Sequence, residues 1–297
     1  MTSKQAPEDR VLHEMPPRSI DWFTQATIIF GGFLQQFGWF FFGFGMIFFW
    51  IFAWNSTPMV AMRNFGNWEP ATGTVFMIEQ TNSSVNETPV YKITLQYEVD
   101  GKTQLGDVYQ TGQSFSEGQT VEVDYNVRNP EKVRLEGARE AMFPWFTMFV
   151  IIFPIVGLVL VYISMTSNLK FLNLLKIGEY TRGEKVKKEA TGGEVVINNR
   201  HYPIYEYKFK FSFENNNYYA TCTTHLAHTV EDEEKEIILF DRFNPEHNIV
   251  YDAMPNAPKI LKEGMLDPAY LSKGIVLILP AISLIAHGLV AFVLWRI

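Results

Sequence analysis

Residues 22–54 read WFTQATIIFGGFLQQFGWFFFGFGMIFFWIFAW. The stretch has no Lys, Arg, Asp or Glu, and 15 of its 33 residues are Phe or Trp. A bilayer core about 30 Å thick offers no water to backbone N–H and C=O groups, so a chain crosses it as a helix of about 20 apolar residues. Two more uncharged stretches, Ala141–Leu169 and Gly274–Trp295, are long enough to do the same. The reading is three transmembrane helices, at 22–54, 141–167 and 274–295, about 50, 40 and 33 Å long at 1.5 Å per residue. The first is too long for one crossing, since 33 helical residues reach about 50 Å. Gly31-Gly32 is expected to divide it into an interfacial helix, Ser19 to Phe30, and a crossing at 33–54. A re-entrant hairpin is the alternative, and it would put both polar segments on one face.

The polar segment 1–21 carries Arg18 just ahead of the first span. That span is too long for a signal-peptide core and lacks a small-residue cleavage site, so it reads as an uncleaved signal anchor. Orientation follows the basic residues near span ends. Lys170, Lys176, Arg182, Lys185, Lys187 and Lys188 crowd into nineteen residues after the second span, and Lys262 and Lys273 precede the third. The loop between spans one and two has Arg63 near its start and Lys132, Arg134 and Arg139 near its end. The expected topology has the N-terminus and residues 170–273 in the cytoplasm, and residues 55–140 and the C-terminus outside. A net charge of −7 provides no broad basic field, which argues against a nucleic-acid partner. The single cysteine, Cys222, excludes an internal disulfide and suits a reducing compartment.

The polar parts repeat one pattern. Tyr91, Ile93, Leu95, Tyr97 and Val99 alternate with polar residues, as do Tyr205, Tyr207, Phe209, Phe211 and Phe213, at an offset of 114 residues. Both are period-two strands with one buried face. Thr88-Pro89-Val90-Tyr91 answers Tyr202-Pro203-Ile204-Tyr205 upstream, and the openings Gly73–Thr81 and Gly183–Thr191 share a length. Downstream come tight-turn residues, Asp100-Gly101 and the Asn215-Asn216-Asn217 run, which tolerate positive φ. A later strand follows, Val121–Tyr125 or Ile237–Phe240, and then Asn129-Pro130 or Asn244-Pro245, where proline is expected to end ladder pairing. The fold class is membrane α plus β: three transmembrane helices with two repeated, small, β-barrel-like extramembrane domains, at 68–138 and 178–257. Cores this small are marginal alone, so docking on the membrane or a partner is expected to support them.

The order Thr72-Gly73-Thr74-Val75, Tyr91–Val99 with Asp100-Gly101, Val121–Tyr125 and Asn129-Pro130 resembles a widespread bacterial family of membrane proteins known as a domain of unknown function. The second copy is more divergent, lacking the Gly-Thr-Val opening and replacing Asp-Gly with asparagines. The resemblance implies a small β-domain between transmembrane helices and placement in a bacterial inner membrane. It carries no catalytic residues over to this chain.

Three clusters are candidate sites. In the first span Gly31, Gly38 and Gly45 recur every seven residues and share a helix face with Gln35 and Gln36. Small residues in line let another helix approach closely, and the amides can bond across the contact. The neighbour is either the protein's own second or third span or a separate chain. In the third span Ser283 and His287 lie four apart on one face, and an intramembrane histidine raises a transport reading. Neither proton-relay partners nor acidic residues accompany it in the spans. Cys222, His225 and His228, followed by Glu231–Glu234, offer zinc-type ligands. Their spacing on a strand exit fits known zinc motifs poorly, and surface histidines beside a solvated acidic loop are the plainer reading.

No paired acid and base, phosphate loop or full ligand set stands out, and no cofactor is expected. The function read from the sequence is a non-enzymatic scaffold or accessory subunit, held in the lipid bilayer and contacting another membrane protein or a second copy of itself. The alternatives are a metal-dependent or thiol enzyme centred on Cys222, His225 and His228, and a small transporter or channel component centred on His287.

Overall fold

The computed structural model describes residues 14–261, 264–268 and 271–296. Most of the polar N-terminus and Lys262 therefore lie outside the described residues. In chain order the elements are α1 (Trp22–Ile29), α2 (Phe33–Phe48), α3 (Thr57–Arg63), β1 (Trp68–Val85), β2 (Thr88–Val99), β3 (Lys102–Thr111), β4 (Thr120–Asn126), β5 (Asn129–Leu135), α4 (Ile152–Ile177), β6 (Glu179–Ile197), β7 (Arg200–Phe213), β8 (Asn216–Thr224), β9 (Lys235–Asp241), β10 (Asn244–Val250) and α5 (Ile278–Arg296). The chain divides into two compact units, Phe41–Ile155 and the pair of segments 1–40 and 156–297.

Three helical stretches among the described residues are long and apolar enough to cross a membrane: Phe33–Ala53, Trp145–Ile177 and Ser272–Arg296. A π turn, Phe49–Ala53, extends α2, and 3-10 turns at Trp145–Ile151 and Leu271–Leu277 lead into α4 and α5. The aromatic segment is not one helix. It stops at Ile29 and restarts at Phe33, with Gly32 at φ 90°. Pro144 sits just ahead of the 3-10 turn and Pro154 in the first turn of α4. Pro154 falls within the continuous stretch Trp145–Ile177, just past the change from 3-10 to α geometry, so its missing N–H lies at that junction rather than in the body of α4.

In the unit Phe41–Ile155, a five-stranded antiparallel sheet has the order β3-β2-β1-β4-β5. Both hairpins at its start are two-residue loops with positive φ at both positions, Asn86-Glu87 and Asp100-Gly101, the twist that matches paired strands. Val75, Ile93, Leu95, Tyr97, Val108, Val121, Val123 and Val133 fill one face. β4 alternates, with Val121 and Val123 buried between exposed Glu122 and Asp124. The sheet curls until β3 meets β5. A Cβ on Gly106 would stand 2.6 Å from Val133 Cγ1, and the Tyr97 hydroxyl donates to the Pro130 carbonyl. The result is barrel-like.

The second sheet, in the other unit, has the order β8-β7-β6-β9-β10, the same arrangement strand for strand. Its two early turns, Asn198-Asn199 and Glu214-Asn215, have positive φ at both positions, so the second tight turn opens on Glu214 rather than within the asparagine run. Even the irregularities coincide. β1 slips register between Val75 and Met77 and β6 between Lys185 and Lys187, leaving Phe76 and Val186 about half exposed. The Asn-Pro pairs do not end the sheets. Each opens a fifth strand, paired beyond a register shift. At the edge of a sheet the missing proline N–H removes no ladder bond.

One strand distinguishes the two sheets. In β9, Glu236 to Phe240 are all buried. Ile238 and Phe240 join Tyr207, Phe209, Phe211 and Ala220 on one side. Ile237 and Leu239 join Ile28 of α1 and Phe171, Leu174 and Leu175 of α4 on the other. Burial on both faces explains the unbroken Ile-Ile-Leu-Phe run. Arg18, 4% exposed, ties this junction by donating to the Leu175 and Gly178 carbonyls at 2.9 Å, where the end of α4 has carbonyls without helical partners.

Candidate functional site

Polar side chains in the apolar helices gather where α1 gives way to α2. Three residues without helical continuity leave carbonyls that lipid cannot satisfy. Asn168, from α4, donates its amide to Ile29 O at 2.9 Å and Gly31 O at 3.1 Å. Gln36 donates to Phe30 O at 2.7 Å and Val276 O at 2.8 Å, and Asn256 to Thr27 O at 3.1 Å. Gln35 is fully buried. With its amide oriented to satisfy both ends, it donates to Val161 O at 3.1 Å and Ser164 Oγ at 3.3 Å and accepts from Trp39 Nε1 at 3.3 Å. The two glutamines thus hold the protein's own helices together. Asn168 and Asn256 escaped the sequence reading, although an amide at the end of an otherwise uncharged stretch was a usable signal for Asn168. Replacing it, Asn168→Leu, is expected to lower stability by about 1–2 kcal/mol, as two interhelical hydrogen bonds disappear. Thermal unfolding in detergent measures this, and an unchanged midpoint would rule out a structural role.

The seven-residue glycine series points the same way. A Cβ on Gly38 would lie 2.8 Å from Val161 N and 3.0 Å from Gly157 O. On Gly45 it would lie 2.7 Å from Pro154 N. Both positions pack on the second apolar helix, while Gly31 meets Thr27 O and the Asn256 side chain. The chain's own α4 thus covers the face that carries Gly38 and Gly45.

α5 is different. Ser283 is buried and His287 half-buried, but Ile282, Leu284, Ile285 and Leu289 are 55–63% exposed, and a Cβ on Gly288 would meet nothing within 4 Å. Most of this helix is uncovered by protein.

Cys222 lies on β8 opposite Tyr207, its side chain partly covered against the core of this sheet, while His225 follows the strand and His228 sits in a 3-10 turn. The only trio of ligating side chains within 4.8 Å of one another among the described residues is Asp232, Glu236 and Asp252. It includes none of the three, so the structure does not bring Cys222, His225 and His228 together as a three-ligand site. Carboxylates alone suit a hard cation rather than zinc, and an acidic cluster by itself is not a binding site. Burial, with the Glu236 carboxylate adding to it, pushes the Cys222 thiol up to about 12. Thiol chemistry needs the thiolate. Iodoacetamide at pH 8 is therefore expected to alkylate Cys222 two to three orders of magnitude more slowly than free cysteine, about one order per unit of raised pKa. Mass spectrometry of a labelling time course checks this, and labelling at the free-thiol rate would refute it.

The acidic run is exposed at Glu231, Asp232 and Glu234, and it is also anchored to the sheet. Glu231 accepts from Lys185 Nζ at 2.8 Å and Lys188 Nζ at 3.1 Å, and Glu233, with its side chain 1% exposed, pairs with Arg182 at 2.7 Å. The loop after β8 is thereby docked on β6, and much of the basic cluster that suggested a cytoplasmic loop also serves the fold.

Residues 71–140 match the family described as a domain of unknown function, DUF3592, a span running from β1 to just beyond β5. Comparison with curated proteins and with solved structures gives no significant match.

Proposed function

We propose that this chain is a non-enzymatic integral membrane scaffold or accessory subunit that reaches partners through its third span and its two β-domains. The observation that carries the reading is the bare surface of α5: only 11% of its most apolar window is buried by the rest of the chain, half the 22% of the other two apolar helices. A helix this exposed to lipid, with a glycine open on its surface, suits close approach by a helix of another membrane protein or of a second copy. The first span's small residues are already taken up by packing within the chain. Gly288→Trp puts bulk where nothing of the protein's own fold stands. Co-purification in mild detergent is expected to recover a defined partner, or the homo-oligomer, with wild type and to lose it with this variant. Equal recovery from both, or no partner with wild type, overturns the proposal.

The equal strand order and coincident bulges support a duplicated domain, the second copy having diverged where it gained a second buried face. In the proposed topology the first β-domain lies outside and the second in the cytoplasm of a bacterial inner membrane. Basic residues flanking the spans carry that assignment. Reporter fusions at Gly112 and Asn216 are expected in opposite compartments, and a shared compartment would reject it.

A further inference from the structure

Within the unit Phe41–Ile155 a cleft of about 490 Å³ lies among Thr57, Glu122, Asp124, Glu136 and Arg139, with Arg134 and Glu140 at its side. Thr57 follows the end of one apolar helix and Arg139 precedes the start of the next, which puts the cleft at the level of lipid headgroups if those helices cross a bilayer. Its charges are unevenly used. Arg134 is engaged, paired with Glu140 and stacked on Trp68 with its guanidinium carbon 3.8 Å from the ring centre. Arg139 donates from Nη1 to Thr111 Oγ1 at 3.0 Å and from Nη2 to Met142 O at 3.4 Å, but its buried Nε has no hydrogen-bond acceptor. Glu122 accepts from Thr72 Oγ1 at 3.3 Å. Among the described residues no cation pairs with Glu122, Asp124 or Glu136. Nε is out of reach of solvent, so what Arg139 offers the cleft is the second N–H on each of Nη1 and Nη2, opposite three exposed carboxylates of which Asp124 and Glu136 have no protein donor among the described residues.

An apolar groove of about 410 Å³, lined by Phe44, Phe48, Phe52, Phe149, Val150 and Phe153, occupies the same unit. Two contacts connect it to the cleft. Thr57 Oγ1 donates to Phe143 O at 3.2 Å, and the Phe143 ring meets that of Phe52 with centroids 5.1 Å apart.

We propose that this unit binds a phospholipid with a phosphoethanolamine headgroup, its phosphate on Arg139, its ammonium among Asp124, Glu136 and Glu122, and an acyl chain in the phenylalanine groove. The inference rests on the membrane reading above. Charge selects the headgroup. A net-anionic lipid would satisfy Arg139 but face three carboxylates, and a choline ammonium has no N–H to donate to them.

The test uses full-length protein in nanodiscs made from phosphatidylethanolamine, phosphatidylcholine or phosphatidylglycerol with identical acyl chains, released for native mass spectrometry. Wild type is expected to retain phosphatidylethanolamine about tenfold more than either other lipid, the worth of one charge-assisted hydrogen bond. Arg139→Gln should lower retention of all three. Asp124→Asn with Glu136→Gln should abolish the preference while retention of phosphatidylglycerol rises, and this second variant keeps the test decisive if the first fails to fold. Equal retention by wild type, or a double variant that keeps the preference, overturns the site. Alkaline carbonate extraction of the same preparations separates the two readings: a chain that stays in the membrane without the preference loses only the lipid site, and a chain that is released loses both.

Discussion

Phe209→Ala is expected to unfold the second β-sheet while leaving the first intact. Phe209 is 1% exposed at the centre of its core and stacks on Tyr207 with ring centroids 6.1 Å apart. Truncating a buried aromatic costs about 3–5 kcal/mol, comparable to the whole stability of a small domain. The space left behind cannot close easily, because Phe211 is fixed on β7 and Ile238 and Phe240 on β9, and each of these strands is paired along both edges. Hydrogen exchange on the full-length protein in detergent reads the outcome by segment. Amides of β6 to β9 should lose protection, while those of β1 to β4, which pack around Leu95 and Val123, should keep theirs. Equal loss in both sheets would contradict the division into two units.

The second large effect belongs to Gly38→Leu. Two of the three nearest atoms to an added Cβ are backbone, Val161 N and Gly157 O, the third being Val161 Cγ2, and backbone of a helix cannot swing aside as a flexible side chain can. Overpacking costs about 1–3 kcal/mol in ordinary cores. Here the upper end is expected, since α2 must lift from α4 and strain the hydrogen bonds of Gln35 as well. Thermal unfolding followed by tryptophan fluorescence should show a lowered midpoint, with Gly288→Leu as the comparison, a glycine with open space around it. Equal midpoints for the two variants would show that the glycine face is not a packing face. Loss of a partner in Gly38→Leu would therefore be ambiguous, and Gly288 is the better place to probe association.

Several features were readable from residues alone because the interactions behind them are local. An absence of charge over twenty or more residues identifies each apolar helix, and alternation in Tyr91–Val99 and Tyr205–Phe213 identifies β2 and β7 with the buried face correctly assigned. Gly31-Gly32 announced the break. Even the double burial of β9 was encoded, in the contrast between Val-Glu-Val-Asp of β4 and Ile-Ile-Leu-Phe of β9, although that contrast gains meaning only when the two strands are known to hold equivalent places. The fifth strands are hidden in the sequence because proline reads as a stop, although at a sheet edge its missing N–H costs no pairing.

By itself, then, the sequence determined which segments are helix and strand, which face of each is apolar, and where small residues permit a close approach. Periodicity and composition act over a few residues, so they need no knowledge of what lies opposite. Tertiary structure alone decided the partners: α4 against the glycines, Asn168 and Gln36 on the carbonyls of the helix break, lysines of β6 on Glu231, and no trio from Cys222, His225 and His228. Each joins residues far apart in the chain, and no local pattern records which distant group will satisfy a hydrogen bond or fill a gap.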